Sequence, residues 1–149
     1  MQITRFTDYG LRTLMYVASC PENIASVKEI SEYYGISRNH LVKVVHKLSK
    51  LGFLETIKGK GGGIKIAEKT DSIRLGDLIK LLEPNMYIAE CFNENDNGCK
   101  ITNSCKLKHY FFEASQNFIN TLNKYTLADT IHNKELIKVI PVEVFSSKE

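Results

Sequence analysis

Apolar side chains along this chain fall first into helical spacing, then alternate briefly, then return to helical spacing. Phe6, Leu11, Leu14, Val17 and Ala18 share one broad face at intervals of about 3.6 residues, which predicts a helix over residues 3–19. Asp8 and Arg12 stand four apart on its other side, the spacing of an i,i+4 ion pair. After Pro21 and a short polar turn, Ser26-Val27-Lys28-Glu29 has the form of a capping box, in which hydroxyl and carboxylate each satisfy a backbone N–H orphaned at a helix start. The helix beginning there turns Val27, Ile30 and Tyr34 inward and stops at Gly35, a residue suited to the left-handed conformation that ends helices. Ile36 follows, and Ser37 is placed to cap a second helix.

That second helix carries Leu41, Val44, Val45, Leu48 and Leu51 on one face and Asn39, Lys43, His46 and Lys50 on the other, flanked by Arg38 and Lys47. Two helices joined by a tight glycine-containing turn, the second with one apolar and one basic face, form a helix-turn-helix pattern. Gly52 ends it, and Phe53–Ile57 with Ile64–Ile66 reads as two short strands around Lys58-Gly59-Lys60-Gly61-Gly62-Gly63. Adjacent glycines permit positive φ and close backbone approach to another surface. A recognition helix followed by such a hairpin is a winged helix.

Leu75, Leu78, Ile79 and Leu82 mark a third short amphipathic helix, with Pro84 beyond its end. Periodicity then disappears from Met86 to Ser104, an Asn-rich stretch holding Cys91, Cys99 and, just after it, Cys105. Leu107, Phe111, Ala114, Phe118 and Tyr125 next recur in steps of four, three, four and seven, a near-heptad stripe that packs helices at small crossing angles. The expected fold is mainly α with a small β wing: a winged helix-turn-helix DNA-binding domain (1–84), a cysteine-bearing cluster loop (85–105), a long dimerisation helix (106–131) and a C-terminal tail (132–149).

Charge sharpens this picture. The chain of 149 residues carries a net charge of only +3, but residues 36–66 hold seven basic side chains against Glu55 alone, leaving that window at +6 and the remainder at −3. Such a patch on a near-neutral protein is a localised footprint for a polyanion. Ser37 and the first N–H groups of its helix can meet a phosphate. Arg38, Asn39, His40 and Lys43 are the side chains expected to reach base edges, because Arg and Lys match guanine acceptors and Asn pairs bidentately with adenine. Lys47 flanks them, and Lys58, Lys60 and Gly62 of the wing are expected to hold the backbone of double-stranded DNA rather than to specify sequence. An enzyme reading fares badly: Gly-Lys-Gly-Gly-Gly-Ile is neither a Walker loop nor a dinucleotide fingerprint, and it joins two strands.

No stretch approaches the ~18 consecutive apolar residues of a spanning helix. Leu14–Ser19 running into Cys20 loosely has the form of a lipoprotein cleavage site, but Asp8 and Arg12 interrupt its apolar core, so the expectation is a cytoplasmic protein without a membrane partner. In that compartment structural disulfides are disfavoured, and three thiols spread over a loose loop are spaced too widely for a tight zinc knuckle. They suit a larger object, an iron-sulfur cluster, either 2Fe-2S or 4Fe-4S. His109, one helical turn beyond Cys105, is placed to complete a Cys-Cys-Cys-His zinc site or to ligate a cluster. Cys20 has the surroundings of a small buried residue.

Phe6 to Arg12, Tyr34 to Lys43, Gly59 to Ile64, Cys99 to Leu107 and Tyr125 to Asp129 together resemble the NsrR group of nitric-oxide-sensing repressors, in the winged-helix family that also contains the iron-sulfur regulator IscR. The likeness runs over about residues 1–131. It implies a homodimer on an inverted-repeat operator, a cluster held by Cys91, Cys99 and Cys105, and a fourth ligand from the first helix of the other subunit. Asp8 matches that position, with Arg12 as the group that holds its carboxylate. It further implies release of operator DNA when nitric oxide attacks the cluster. The rival reading from another class is a zinc-stabilised dimeric adaptor closed by Cys91, Cys99, Cys105 and His109, with no signal sensing.

Overall fold

A computed structural model describes residues 2–131 apart from Lys60 and Lys69. The tail from His132 to Glu149 and the wing residue Lys60 therefore lie outside the described residues. Helix α1 (Arg5–Ser19) starts at Thr4, whose hydroxyl accepts from the Thr7 N–H at 3.3 Å. It packs against α3, β1, β3, α4 and α6 of the elements that follow, so its buried face is wider than the apolar spacing predicts. Thr7 and Thr13 are buried alongside Leu14, Tyr16 and Val17. Thr13 is accommodated by donating its hydroxyl hydrogen to the Tyr9 carbonyl at 2.7 Å.

Helix α2 (Val27–Tyr34) opens on the expected capping box: the Ser26 N–H donates to Glu29 Oε2 at 2.6 Å and the Glu29 N–H to Ser26 Oγ at 3.1 Å. It closes at Gly35, φ 63°, beyond which the Ile36 N–H reaches the Ser31 carbonyl at 3.1 Å. The Ser31 hydroxyl donates in turn to the Ile36 carbonyl at 2.7 Å, so both peptide groups of the turn are occupied. The buried Ile36 then pins this corner into the core. Helix α3 (Arg38–Lys50) follows, burying Leu41, Val44, Val45 and Leu48.

Strands β1 (Ile24–Ala25), β2 (Leu54–Ile57) and β3 (Gly63–Ile66) form an antiparallel sheet in the order β1-β3-β2. The first of these is absent from the sequence reading, because two residues carry no alternation. It exists because Ile24 and Ala25 pair with Lys65 and Ile64 on the open edge of the wing strand. The hairpin tip uses positive φ at Gly59 and Gly61, whereas Gly62 is required for close approach, its missing Cβ facing the Ile57 carbonyl oxygen. Among the described residues the molecule is thus mainly helical with a small wing.

Helices α4 (Leu75–Leu82), α5 (Lys106–Leu122) and α6 (Leu127–Ile131) complete the order. The segment 106–131 expected as one long helix is two, and Tyr125, the last member of the stripe, sits exposed in the break. The break is chemically specified. Asn123 caps α5 and exchanges two hydrogen bonds with Asp77, its Oδ1 accepting from the Asp77 N–H and its Nδ2 donating to the carboxylate, both at 2.9 Å. Arg74 donates to the Asn123 carbonyl at 2.6 Å, and an isolated antiparallel bridge joins Arg74 to Thr126. Thr126 and Asp129 then start α6 by capping each other's backbone N–H.

Ala at an exposed helical glycine stabilises by about 1 kcal/mol. At Gly76 the sign should reverse, because a Cβ there would stand 2.5 Å from Asn123 Oδ1 and 2.6 Å from the Ile119 carbonyl oxygen. Gly76→Ala is expected to lower stability by about 1–3 kcal/mol, read as a lower urea midpoint at unchanged slope.

Candidate nucleic-acid interface and cysteine loop

Burying Leu41, Val44, Val45 and Leu48 leaves the opposite face of α3 to solvent, so Arg38, Asn39, His40, Lys43, His46 and Lys47 are all exposed. Val42, half exposed, adds an apolar spot among them. Ser37 occupies the N-cap position, but its hydroxyl makes no capping hydrogen bond and stays at the surface. Lys58 is exposed on the wing, while Gly62 holds the tip close to the strand ends. None of Arg38, Lys43, Lys47 and Lys58 is in an ion pair among the described residues. Uncompensated cations on a helix face and on the adjoining hairpin are what a phosphate backbone requires.

The cysteine segment follows α4 and leads into α5. Its abundance of Asn replaces regular hydrogen bonding: side chains of Asn85, Asn93 and Asn97 each accept from the N–H two residues on, at 3.1–3.2 Å. Cys91 lies in a short 3-10 turn (Glu90–Phe92), Cys99 accepts the Thr102 hydroxyl on its carbonyl at 2.8 Å, and Cys105 is the N-cap of α5. All three are half-buried and none is in a disulfide. His109, exposed, lines one cleft of about 380 Å3 with Cys91 and Lys108, whereas Cys99 and Cys105 are not on that cleft. Among the described residues no three His, Cys, Asp or Glu side chains are gathered into a group able to hold a metal ion. The donors nonetheless fit an iron-sulfur cluster in kind, being three accessible thiols on one irregular segment at the start of a helix. Cys20, by contrast, is buried and donates to the Tyr16 carbonyl at 3.2 Å.

Asp8 and Arg12 form the expected pair, with Arg12 Nη2 at 2.9 Å and Nε at 3.0 Å from the two carboxylate oxygens. The same guanidinium lies 5.8 Å from the centre of the Tyr34 ring, which meets Tyr33 and Tyr16 in a three-ring cluster. Sequence reasoning placed Tyr34 inward but missed this cluster, since no spacing joins that residue to Tyr33 beside it or to Tyr16 on α1. It links the helix bearing Asp8 to the last turn before the Gly35 corner. Burial, then the neighbouring Tyr33, pushes the Tyr34 phenol up to about 12, Arg12 acting in the opposite sense. Burial also raises Tyr16, whose hydroxyl is buried without a hydrogen-bond partner among the described residues. Asn123 was likewise missed, lying inside the apolar stripe between Phe118 and Tyr125.

Along α5 only Ile119 is fully buried, while Leu107, Tyr110 and Phe112 are each more than half exposed. Among the described residues no helix is long and apolar enough to cross a membrane.

Comparison with known proteins agrees with this architecture. The profile of the Rrf2 family, described as an iron-dependent transcriptional regulator, matches residues 3–133. IscR of T. potens is similar in structure at TM-score 0.69, 22% identical, over 88% of this chain and 86% of that one. The oxidized form of CymR from Staphylococcus aureus superimposes at TM-score 0.68, 22% identical, over 89% and 97% of the two chains. CymR of B. subtilis, described as the global cysteine regulator, gives 0.66 at 22% identity over 88% and 96%.

A phenol whose folded pKa is raised supports the fold fully below the ordinary tyrosine value of about 10, and that support is lost as pH climbs through the folded value. Of the seven tyrosines, Tyr16 and Tyr34 should therefore ionise last. Tyrosinate absorbance is expected to show a late alkaline phase, joined by unfolding, and Tyr34→Phe should shrink that phase.

Proposed function

Because the chain belongs to the Rrf2 family of transcriptional regulators, winged-helix DNA-binding proteins rather than enzymes, we propose that it is an operator-binding repressor of the NsrR type, sensing nitric oxide through an iron-sulfur cluster. The observation that carries this reading is the pairing, in one short chain, of an uncompensated basic helix face with a loop of three accessible thiols.

In this reading Arg38, Asn39, His40 and Lys43 read the major groove, while Ser37, Lys47, Lys58, Lys60 and Gly62 hold the backbone. Two copies associate through α5, whose exposed Leu107, Tyr110 and Phe112 support an interface with a second chain. Cys91, Cys99 and Cys105 hold the cluster with Asp8 of the partner subunit, and Arg12 keeps that carboxylate oriented. The cluster supplies an iron reactive toward nitric oxide. Asp8 also sits, through Arg12, against Tyr34 at the end of α2, so its carboxylate is one contact removed from the helix-turn-helix corner. A dimer reads two half-sites only when its recognition helices lie about one DNA turn apart, so a shift at this point becomes a loss of affinity.

The proximity of His109 to Cys91 favours one alternative: a zinc site closed by Cys91, Cys99, Cys105 and His109 in a dimeric adaptor that senses nothing. Anaerobic isolation separates the two. The repressor reading expects a brown protein with iron and acid-labile sulfide that shifts operator DNA and releases it on nitric oxide addition. A colourless protein with stoichiometric zinc, or equal operator affinity with and without the cluster, overturns it. Asp8→Ala should keep DNA binding and blunt the nitric oxide response, and Lys43→Ala should weaken operator binding by about 1–3 kcal/mol.

A further inference from the structure

A cleft of about 270 Å3 opens between the start of α1 and the first turns of α3, lined by Arg5, Phe6, Tyr9, His40, Lys43 and Val44. Its floor is made by the rings of Phe6 and Tyr9 with the buried Val44, and its rim by the exposed Arg5, His40 and Lys43. Neither Arg5 nor Lys43 is in an ion pair among the described residues, and the nearest acid along α1, Asp8, is engaged by Arg12. Arg5 is also the first residue of α1, the end at which the helix dipole favours negative charge, so nothing within the helix compensates it. The cleft thus offers two cations and an imidazole around an apolar floor.

A duplex that receives α3 in its major groove must carry one strand past the flank of that helix. Each backbone unit of that strand presents an anionic phosphate beside an apolar sugar face, the complement of this cleft in charge and in polarity. We propose that the cleft seats one phosphate-deoxyribose unit of the operator backbone, Arg5 gripping the phosphate while Phe6, Tyr9 and Val44 meet the sugar and Lys43, on the rim, reaches past it to the base edges. The start of α1 becomes a third part of the DNA interface beside α3 and the wing, although it lies outside the basic window of the sequence. This assignment rests on the reading of α3 as the DNA-contacting helix.

The test uses full-length, cluster-loaded protein with Arg5→Gln and Lys43→Ala variants, an operator fragment and an unrelated duplex. Arg5→Gln is expected to weaken both DNAs alike, by about tenfold at moderate salt, and to lower the slope of log affinity against log salt by about 0.9, one phosphate's worth. It should also erase one position of phosphate-ethylation interference present with the wild type. If Lys43→Ala weakens operator binding while Arg5→Gln leaves slope and interference unchanged, the cleft assignment fails and the α3 reading stands. If neither substitution alters binding, both fail. A loss confined to particular base substitutions would make Arg5 a base reader and overturn the backbone seat. So would benzoate at millimolar concentration raising the Tm of the wild type but not of Arg5→Gln, alongside an unchanged salt slope, since the cleft would then belong to a small anion.

Discussion

The attachment of α5 at one end is the constraint on which the arrangement depends. Its last turn is locked to α4 by the Asn123–Asp77 exchange, by Arg74 on the Asn123 carbonyl, and by an approach so close that Gly76 has no room for a side chain. Toward its start the helix carries exposed aromatic and aliphatic residues, and Cys105 caps it. A helix of 17 residues spans about 25 Å at 1.5 Å per residue. Cys105 and the Asn123 lock therefore sit at opposite ends of a rigid rod.

The exposed face of α3 shows the converse design, with charge left open and scaffolding closed. The corner between α2 and α3 has its peptide groups occupied by Ser31 and its apolar residue, Ile36, in the core. A corner so held transmits rather than absorbs displacement, and the tyrosine cluster on its inner side connects it to Arg12. The polar surface of α3 has no such partners among the described residues, so its basic groups are available without rearrangement. Separating a stiff frame from unpaired charges keeps the loss of side-chain freedom as the main entropic cost of docking.

Much of this was legible in the sequence because it depends on local chemistry. The Ser26–Glu29 box, the Gly35 stop, the apolar face of α3 and the glycine hairpin each need only a few neighbouring residues to declare themselves. What escaped notice depends on contacts distant in sequence. Strand β1 is defined by its partner β3, and the break after Leu122 is defined by Asp77 and Arg74, 46 and 49 residues from Asn123. Ser37 shows the opposite error: its residue type signals a capping hydroxyl, yet it holds the position without making the bond. The three loop cysteines stand out in the sequence, but not the extent to which one chain leaves them apart.

The cysteine loop is knitted by side-chain hydrogen bonds that each close within five residues. Its backbone path is consequently set largely within the segment, with Lys108 over the Phe92 ring at 6.0 Å as a contact to the rod. Closure entropy grows only logarithmically with the number of links, so such a segment tolerates lengthening cheaply. It behaves as an interchangeable cassette, in which new spacings of its cysteines can be tried between two fixed ends while the remaining architecture is kept.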